Sequence, residues 1–499
     1  MIRYTSERQM SLEGFTLPFG GRLNPENRWV KLSRKIPWDE LAKAYHTRLT
    51  ADRGRPAKNA RIVIGAVIIK HKLTLSDEET VLQIQENPYL QYFIGLSRYQ
   101  EEPAFAPSLF VEIRRRMGSE VFAAFEKAIL AEMEKSRKKQ KSDKKDQDPP
   151  SHKGKLVIDA TVAEQAIRYP TDLGLLNESR ERTEQLIDEL AKEIGVKKPR
   201  TYRKQAKKRY LTIAKNKKPG RKLIRLGIRQ QLQYLRRNLS HMDRLLDACG
   251  GFPLSPRKQK LYWVIQQVYS QQMSMYRNRS CRCDDRIVNI HQPHVRPIIR
   301  GKAKSRTEFG AKISVSLVDG IAMVDHLGWD AFNESQDLRD QVERYTALYG
   351  YFPKSVLADG IYGTRDNRKY LQGKEIRFGG KPLGRPMKQT AQNAGQIKLE
   401  KKLRKQDALE RIPIEGKFGQ GKNGYRLNYI RARTAATSEA WIRAIFLVMN
   451  LMVLLRCWCV FYFGAVKTRI LQFWDDQIAW IRFGLDIVLG RGHFQLKPR

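Results

Sequence analysis

The sequence predicts an α/β protein, a mixed sheet flanked by helices, with an all-α domain before the sheet and a large helical insertion within it. Three observations carry that expectation. Two short apolar runs each end in a carboxylate, Leu156-Val157-Ile158-Asp159 and Ser355-Val356-Leu357-Ala358-Asp359, the pattern of short buried strands. Between them, residues 309–318 and 321–324 flank Asp319-Gly320, which reads as a hairpin on a favoured turn pair. Residues 334–349 then carry helical periodicity, so strand, hairpin, helix and strand follow in the order of a mixed sheet.

The chain has 499 residues, 41% of them hydrophobic. That length suits roughly three structural units at about 150 residues each, and the apolar content excludes a fully disordered chain. Lys and Arg number 94 against 52 Asp and Glu, a formal charge of +42. Such an excess repels itself unless a polyanion supplies the missing negative charge, so the expected partner is nucleic acid. Five cysteines are too few, and odd in number, for a disulfide framework, which points to a reducing, cytoplasmic setting. The N-terminus MIRYTSERQM lacks the apolar centre of a signal peptide. The stretch 444–466 is interrupted by Asn450 and Arg456 and reads as a buried core helix, with no membrane partner expected.

Residues 1–132 read as the helical domain, with amphipathic runs at 38–45, 60–71, 76–86 and 108–133. Ser76 caps the third run, with Glu79 three residues on. This domain is expected to bind DNA. Arg53, Arg55, Lys58 and Arg61 lie at helix starts and turns, where side chains can meet base edges. Residues 133–153, rich in Lys, Asp, Ser and Gln, read as a basic flexible linker that leaves the helical domain separable. The catalytic core is expected at 154–177 and 300–456, the helical insertion at 178–299 and a helical tail at 457–499. In the insertion, Leu232, Leu235, Leu239, Met242 and Leu246, then Leu261, Ile265, Val268 and Met275, fit two antiparallel helices. Residues 197–237 hold seventeen Lys or Arg and no acid. That favours a phosphate-contacting surface, with Lys204, Lys207, Lys208 and Arg209 at its centre.

A basic protein that sets isolated acids at strand ends needs a cation between those acids and DNA. Magnesium or manganese, held by carboxylates and the scissile phosphate, meets that need. The third acid is expected to be Glu415, in the Gly- and Lys-rich stretch before the apolar helix. Asp319 reads as a turn residue and Glu334 as a first-turn helix acid rather than as ligands. Cys281, Cys283, His291 and His294 offer four donors within fourteen residues. Their Cys-x-Cys spacing is too tight for the usual structural zinc site, and phosphate contact or packing is expected of the histidines instead.

Several segments resemble the DDE transposases of bacterial insertion sequences, of the insertion-sequence-four and insertion-sequence-five groups. In the helical domain these are Gly54-Arg55-Pro56-Ala57-Lys58, Leu75-Ser76-Asp77-Glu78-Glu79-Thr80 and residues 86–96. In the core they are Ile158-Asp159-Ala160-Thr161, residues 358–363 with Arg365, Asn367 and Arg368, and residues 414–422. The family signature Tyr-x2-Arg-x3-Glu-x6-Lys is met by Arg411, Glu415 and Lys422, with Ala408 in the Tyr position. The resemblance implies an RNase H-like core in which Asp159, Asp359 and Glu415 gather as catalytic residues and as ligands of two Mg2+ or Mn2+ ions. Arg411 and Lys422 are then expected to contact phosphate. It implies a transposase that binds terminal inverted repeats and cleaves and joins double-stranded DNA, at transposon ends and target, as a homodimer or higher oligomer. An inert basic nucleic-acid-binding protein, or an RNase H-like nuclease or resolvase without strand transfer, are the alternatives.

Overall fold

The computed structural model describes residues 14–17, 21–47, 49, 57–138, 151–299, 307–384, 390 and 392–455. Arg53, Arg55, much of the expected linker and the tail beyond 456 lie outside the described residues. The chain opens with helices α1 (Arg28–Ser33), α2 (Trp38–His46), α3 (Ala60–Leu73), α4 (Asp77–Glu86), α5 (Pro88–Phe93), α6 (Leu109–Arg116) and α7 (Ser119–Lys138). Ser76 caps α4 by accepting from the Glu79 backbone N–H at 3.0 Å. The run expected as one helix at 108–133 is two, because Met117 leaves helical geometry (ψ 74°) just before Gly118, and glycine is a poor helix former. Arg61, expected to read bases, is 3% exposed. Its guanidinium stacks on Trp38 at 4.5 Å and donates to the Phe93 carbonyl at 3.0 Å, so it ties α3 to α5 inside the core.

The sheet is mixed. Its strands are β1 (Lys155–Glu164), β2 (Arg296–Ile299), β3 (Thr307–Val318), β4 (Ile321–Gly328), β5 (Ser355–Leu357) and β6 (Arg377–Phe378). The order is β2-β3-β1-β5-β6, with β4 also paired to β3. Pairings β1–β3 and β3–β4 are antiparallel, while β1–β5 and β5–β6 are parallel. Asp319 and Gly320 close the β3–β4 hairpin at φ 50° and 86°, the left-handed pair a tight hairpin demands. A 3-10 turn, Glu334–Gln336, precedes α12 (Leu338–Tyr349), and α13 (Arg365–Gly373) follows β5. The predicted helix at 334–349 is therefore shorter and begins after that turn.

The insertion contains α8 (Asp172–Ile194), α9 (Arg203–Ala214), α10 (Arg221–Cys249) and α11 (Pro256–Arg277). Leu232, Leu235 and Met242 of α10 face Ile187 and Leu190 of α8 as well as Ile265 and Val268 of α11 in one apolar cluster. The expected boundary at residue 178 falls inside α8. Arg180, 1% exposed, bonds Gln231, Glu184 and Asn177 at 2.6–3.1 Å, satisfying a charge that would otherwise be costly to bury.

A second apolar cluster runs from Trp38 and Phe93 of the helical domain through Ile158 and Val315 of the sheet to Phe446 and Leu451. The helical domain and the sheet share this core. Chain entering last, α14 (Ala394–Gly424) and α15 (Ala435–Leu455), completes it. Helix α15 is long and apolar enough to span a bilayer, but its apolar window is 72% buried inside the protein, as a core helix would be.

Candidate active site

Asp159 lies in the middle of β1, not at its end as the sequence suggested. The strand that ends there is its parallel neighbour. Val157 pairs with Leu357, and β5 stops at Leu357, so Asp159 lies two residues past that pair on β1 while Asp359 lies two residues past it in chain that has left the sheet. Beyond β5 the chain enters a 3-10 turn, Gly360–Tyr362. Asp359 is exposed, and its Oδ1 accepts from the Gly360 N–H at 2.6 Å. The turn after it is fastened by Asn367, whose Nδ2 donates to the carbonyls of Tyr362 at 2.9 Å and Ser335 at 2.7 Å. Arg368 donates from Nε to the Gly363 carbonyl at 3.1 Å. Those two motif residues shape the loop that presents Asp359.

Helix α14 runs along β1 in the same direction, and ion pairs in matching order record it. Lys155 meets Glu410 at 2.5 Å. Arg411 lies 2.9 Å from Glu415 and 3.8 Å from Asp159. Lys422 lies 3.5 Å from both Glu164 and Glu308. Asp407, 4% exposed, is held by Arg377 of β6 at 2.6 Å, and Ile414 and Phe418 are buried against the sheet. The helix thereby delivers Glu415, exposed on its flank, to the side of Asp159. Of the sequence-predicted residues, the fold brings Asp159, Glu415 and Arg411 together, while Asp359 lies two residues past the end of β5, the strand that flanks β1. Lys422 stands at the far end of the same helix with two acids for partners.

Tyr362 is buried beside this region. Desolvation pushes its hydroxyl far above the ordinary value, and the carboxylates of Glu334, Asp159 and Asp337 add to the rise, so it remains a neutral phenol. Glu334 itself is paired with Lys312 at 2.9 Å.

The donor set is entirely carboxylate oxygen and partly open to solvent, which suits a hard divalent cation. Among the described residues no group of three His, Cys, Asp or Glu side chains is gathered closely enough to hold a metal. Arg411, lying between Asp159 and Glu415, supplies the positive charge there.

The other sequence-predicted cations sit elsewhere. Lys58 is exposed just ahead of α3. Lys204, Lys207 and Lys208 line one open depression on α9 with Lys215, while Arg209 lies over the Tyr234 ring at 5.9 Å. His291 faces Glu178 at 3.3 Å, and His294 packs edge-on against Trp329 at 4.3 Å. Sequence reasoning did not single out Lys398, Lys401, Lys402 and Lys405 of α14, all exposed. The signal was their 3-1-3 spacing, masked by the intervening Glu400.

Residues 18–116 match a family model described as a transposase domain, and residues 356–452 match one described as a transposase DDE domain. A relative from Rhizobium meliloti, "Uncharacterized protein ORF8 in nfe locus", is 30% identical over 186 residues, which is 37% of this chain and 83% of that protein. No solved structure matches the chain.

Proposed function

This chain belongs to the DDE transposases of insertion sequences, and on that premise we propose that it binds the terminal inverted repeats of its element, cuts DNA there in a metal-dependent step and joins the freed 3′ end to target DNA. The observation that supports this reading is the α14 ladder, in which Arg411 bridges Glu415 and Asp159, together with the β1–β5 pairing that ends two residues before Asp359. A central strand antiparallel to one neighbour and parallel to the other supports an RNase H-like core.

Asp159, Asp359 and Glu415 would hold two Mg2+ or Mn2+ ions, which would activate an attacking oxygen and stabilise the leaving one. Arg411 provides a planar fork suited to a phosphate and exchanges its carboxylate partners for the DNA backbone. Lys422 braces the end of α14 on Glu164 and Glu308. Lys58 and the α9 lysines add backbone contacts away from the chemistry, and the protein acts in the cytoplasm as a homodimer or higher oligomer across two DNA ends.

The test is incubation of the purified chain with Mg2+ and duplexes carrying the element's own ends. Cleaved ends joined to target are expected, and none from Asp159→Asn or Glu415→Gln. Cleavage without joining would mark a nuclease or resolvase, and binding without cleavage an inert DNA-binding protein.

A further inference from the structure

Helix α14 buries Asp407, Ile414 and Phe418 on one face. At 3.6 residues per turn, Lys398, Lys401, Lys402 and Lys405 fall within about a third of a turn on the opposite face. All four are exposed. The acids nearby are already neutralised: Glu400 by Arg404 at 2.8 Å, Asp407 by Arg377 at 2.6 Å and Glu410 by Lys155 at 2.5 Å. No ion pair joins any of the four lysines to a described residue, so the stripe presents uncompensated charge to solvent. The same face continues through exposed Leu409 and Ile412 to Gly416, where no atom lies within 4 Å of the position a side chain would take. Polymer can therefore approach the helix closely next to Glu415.

We propose that this stripe is a docking track for the backbone of duplex DNA, continuous with the catalytic region and set off from it by a fixed distance. With a rise of 1.5 Å per residue, Lys405 stands about 15 Å and Lys398 about 26 Å along the axis from Glu415. At 3.4 Å per base pair that corresponds to phosphates about four to eight base pairs from the bond being cut. One helix then carries both an acid of the site and the contacts that register the duplex against it. The positional part of this inference rests on the proposed function, whereas the binding part does not.

The test uses the full chain and the exposed, fold-neutral variant K398Q/K401Q/K402Q/K405Q. Affinity for a random-sequence duplex is measured across a salt series. Each lost phosphate contact lowers the slope of log affinity on log salt by about 0.9, so a fall of about 3 to 4 is expected. On a nicked duplex, phosphate ethylation about four to eight base pairs from the nick should weaken the wild type and leave the variant indifferent. An unchanged slope in a variant with wild-type circular dichroism overturns the proposal, as does a change confined to self-association with DNA binding intact. Asp159→Asn separates the two readings. If wild type fails to cut but the slope still depends on the lysines, the catalytic reading falls and the track stands. If cutting depends on Asp159 while the slope ignores the lysines, the track alone falls.

Discussion

Asn450 makes a two-way amide pair with Ala322: its Oδ1 accepts from the Ala322 N–H at 2.9 Å and its Nδ2 donates to the Ala322 carbonyl at 2.7 Å. The polar residue that interrupts the apolar helix α15 thus imitates a neighbouring strand along β4. At 1% exposure, Asn450→Leu would strand a buried donor and acceptor, each costing about 1–3 kcal/mol. A loss of about 2–6 kcal/mol in urea or thermal unfolding is expected. A variant as stable as wild type would mean that water replaces the pair.

A second prediction concerns pH. Glu126 of α7 meets Arg344 of α12, and Arg344 also holds Asp325 of β4 at 3.0 Å, so this buried network joins the helical domain to the sheet. Burial pushes the Glu126 carboxyl up to about 7, against the pull of Arg344 and Arg443 and with the push of Asp325. A folded-state value above the unfolded one means the native state keeps a proton the unfolded state has already lost. Stability should therefore fall as pH rises from about 4.5 to about 7, by up to about 3 kcal/mol, and level off beyond. Glu126→Gln should remove that part of the slope. Unfolding followed across this range checks it, and an equal slope in the variant would assign the effect to other groups.

The third prediction separates two kinds of cation on the insertion. Lys204, Lys207 and Lys208 are exposed around an open depression, while Arg203 is locked to Asp188 at 2.8 Å by two bonds. Changing the three lysines to Gln should lower the salt slope for duplex binding by about 0.9 each. Arg203→Gln should leave that slope near wild type while lowering the thermal midpoint. Equal slopes in all variants would make the α9 face a solvated surface only.

Residue types were easier to read from the sequence than their surroundings. Asp159 was legible because three apolar residues lead into a carboxylate. Its position inside a ten-residue strand was not, because a mid-strand acid is costly until Arg411, some 250 positions later in the chain, is brought beside it. The Asp319-Gly320 hairpin was legible because its turn chemistry is local. Helix α14 was not, since Pro413 and several glycines oppose helix by about 3 and 1 kcal/mol per residue, and the ion pairs to β1 and β6 that hold it are non-local. Arg61 illustrates the same limit: its charge suggested solvent and DNA, whereas stacking on Trp38 and two carbonyls of α5 place it in the core.

The last prediction follows from Arg411 standing between Asp159 and Glu415. All three side chains are partly solvated, with exposures of 26%, 18% and 57%, so the pairing is worth only about 0.2–1 kcal/mol. Removing the guanidinium leaves two neighbouring carboxylates without that cation, which raises their attraction for a divalent ion. In the absence of DNA, Arg411→Gln should bind Mn2+ more tightly than wild type by up to about fivefold, the fold-change equivalent of the upper end of that energy, as read by calorimetry or by the loss of free-ion spin resonance. Cleavage of an end duplex should fall in the same variant if Arg411 makes the proposed bidentate phosphate contact. Arg411→Lys keeps the charge and loses the fork, so its Mn2+ affinity should stay near wild type while cleavage falls. If Arg411→Gln bound Mn2+ no more tightly than wild type, the guanidinium would not be competing for the space between the two acids.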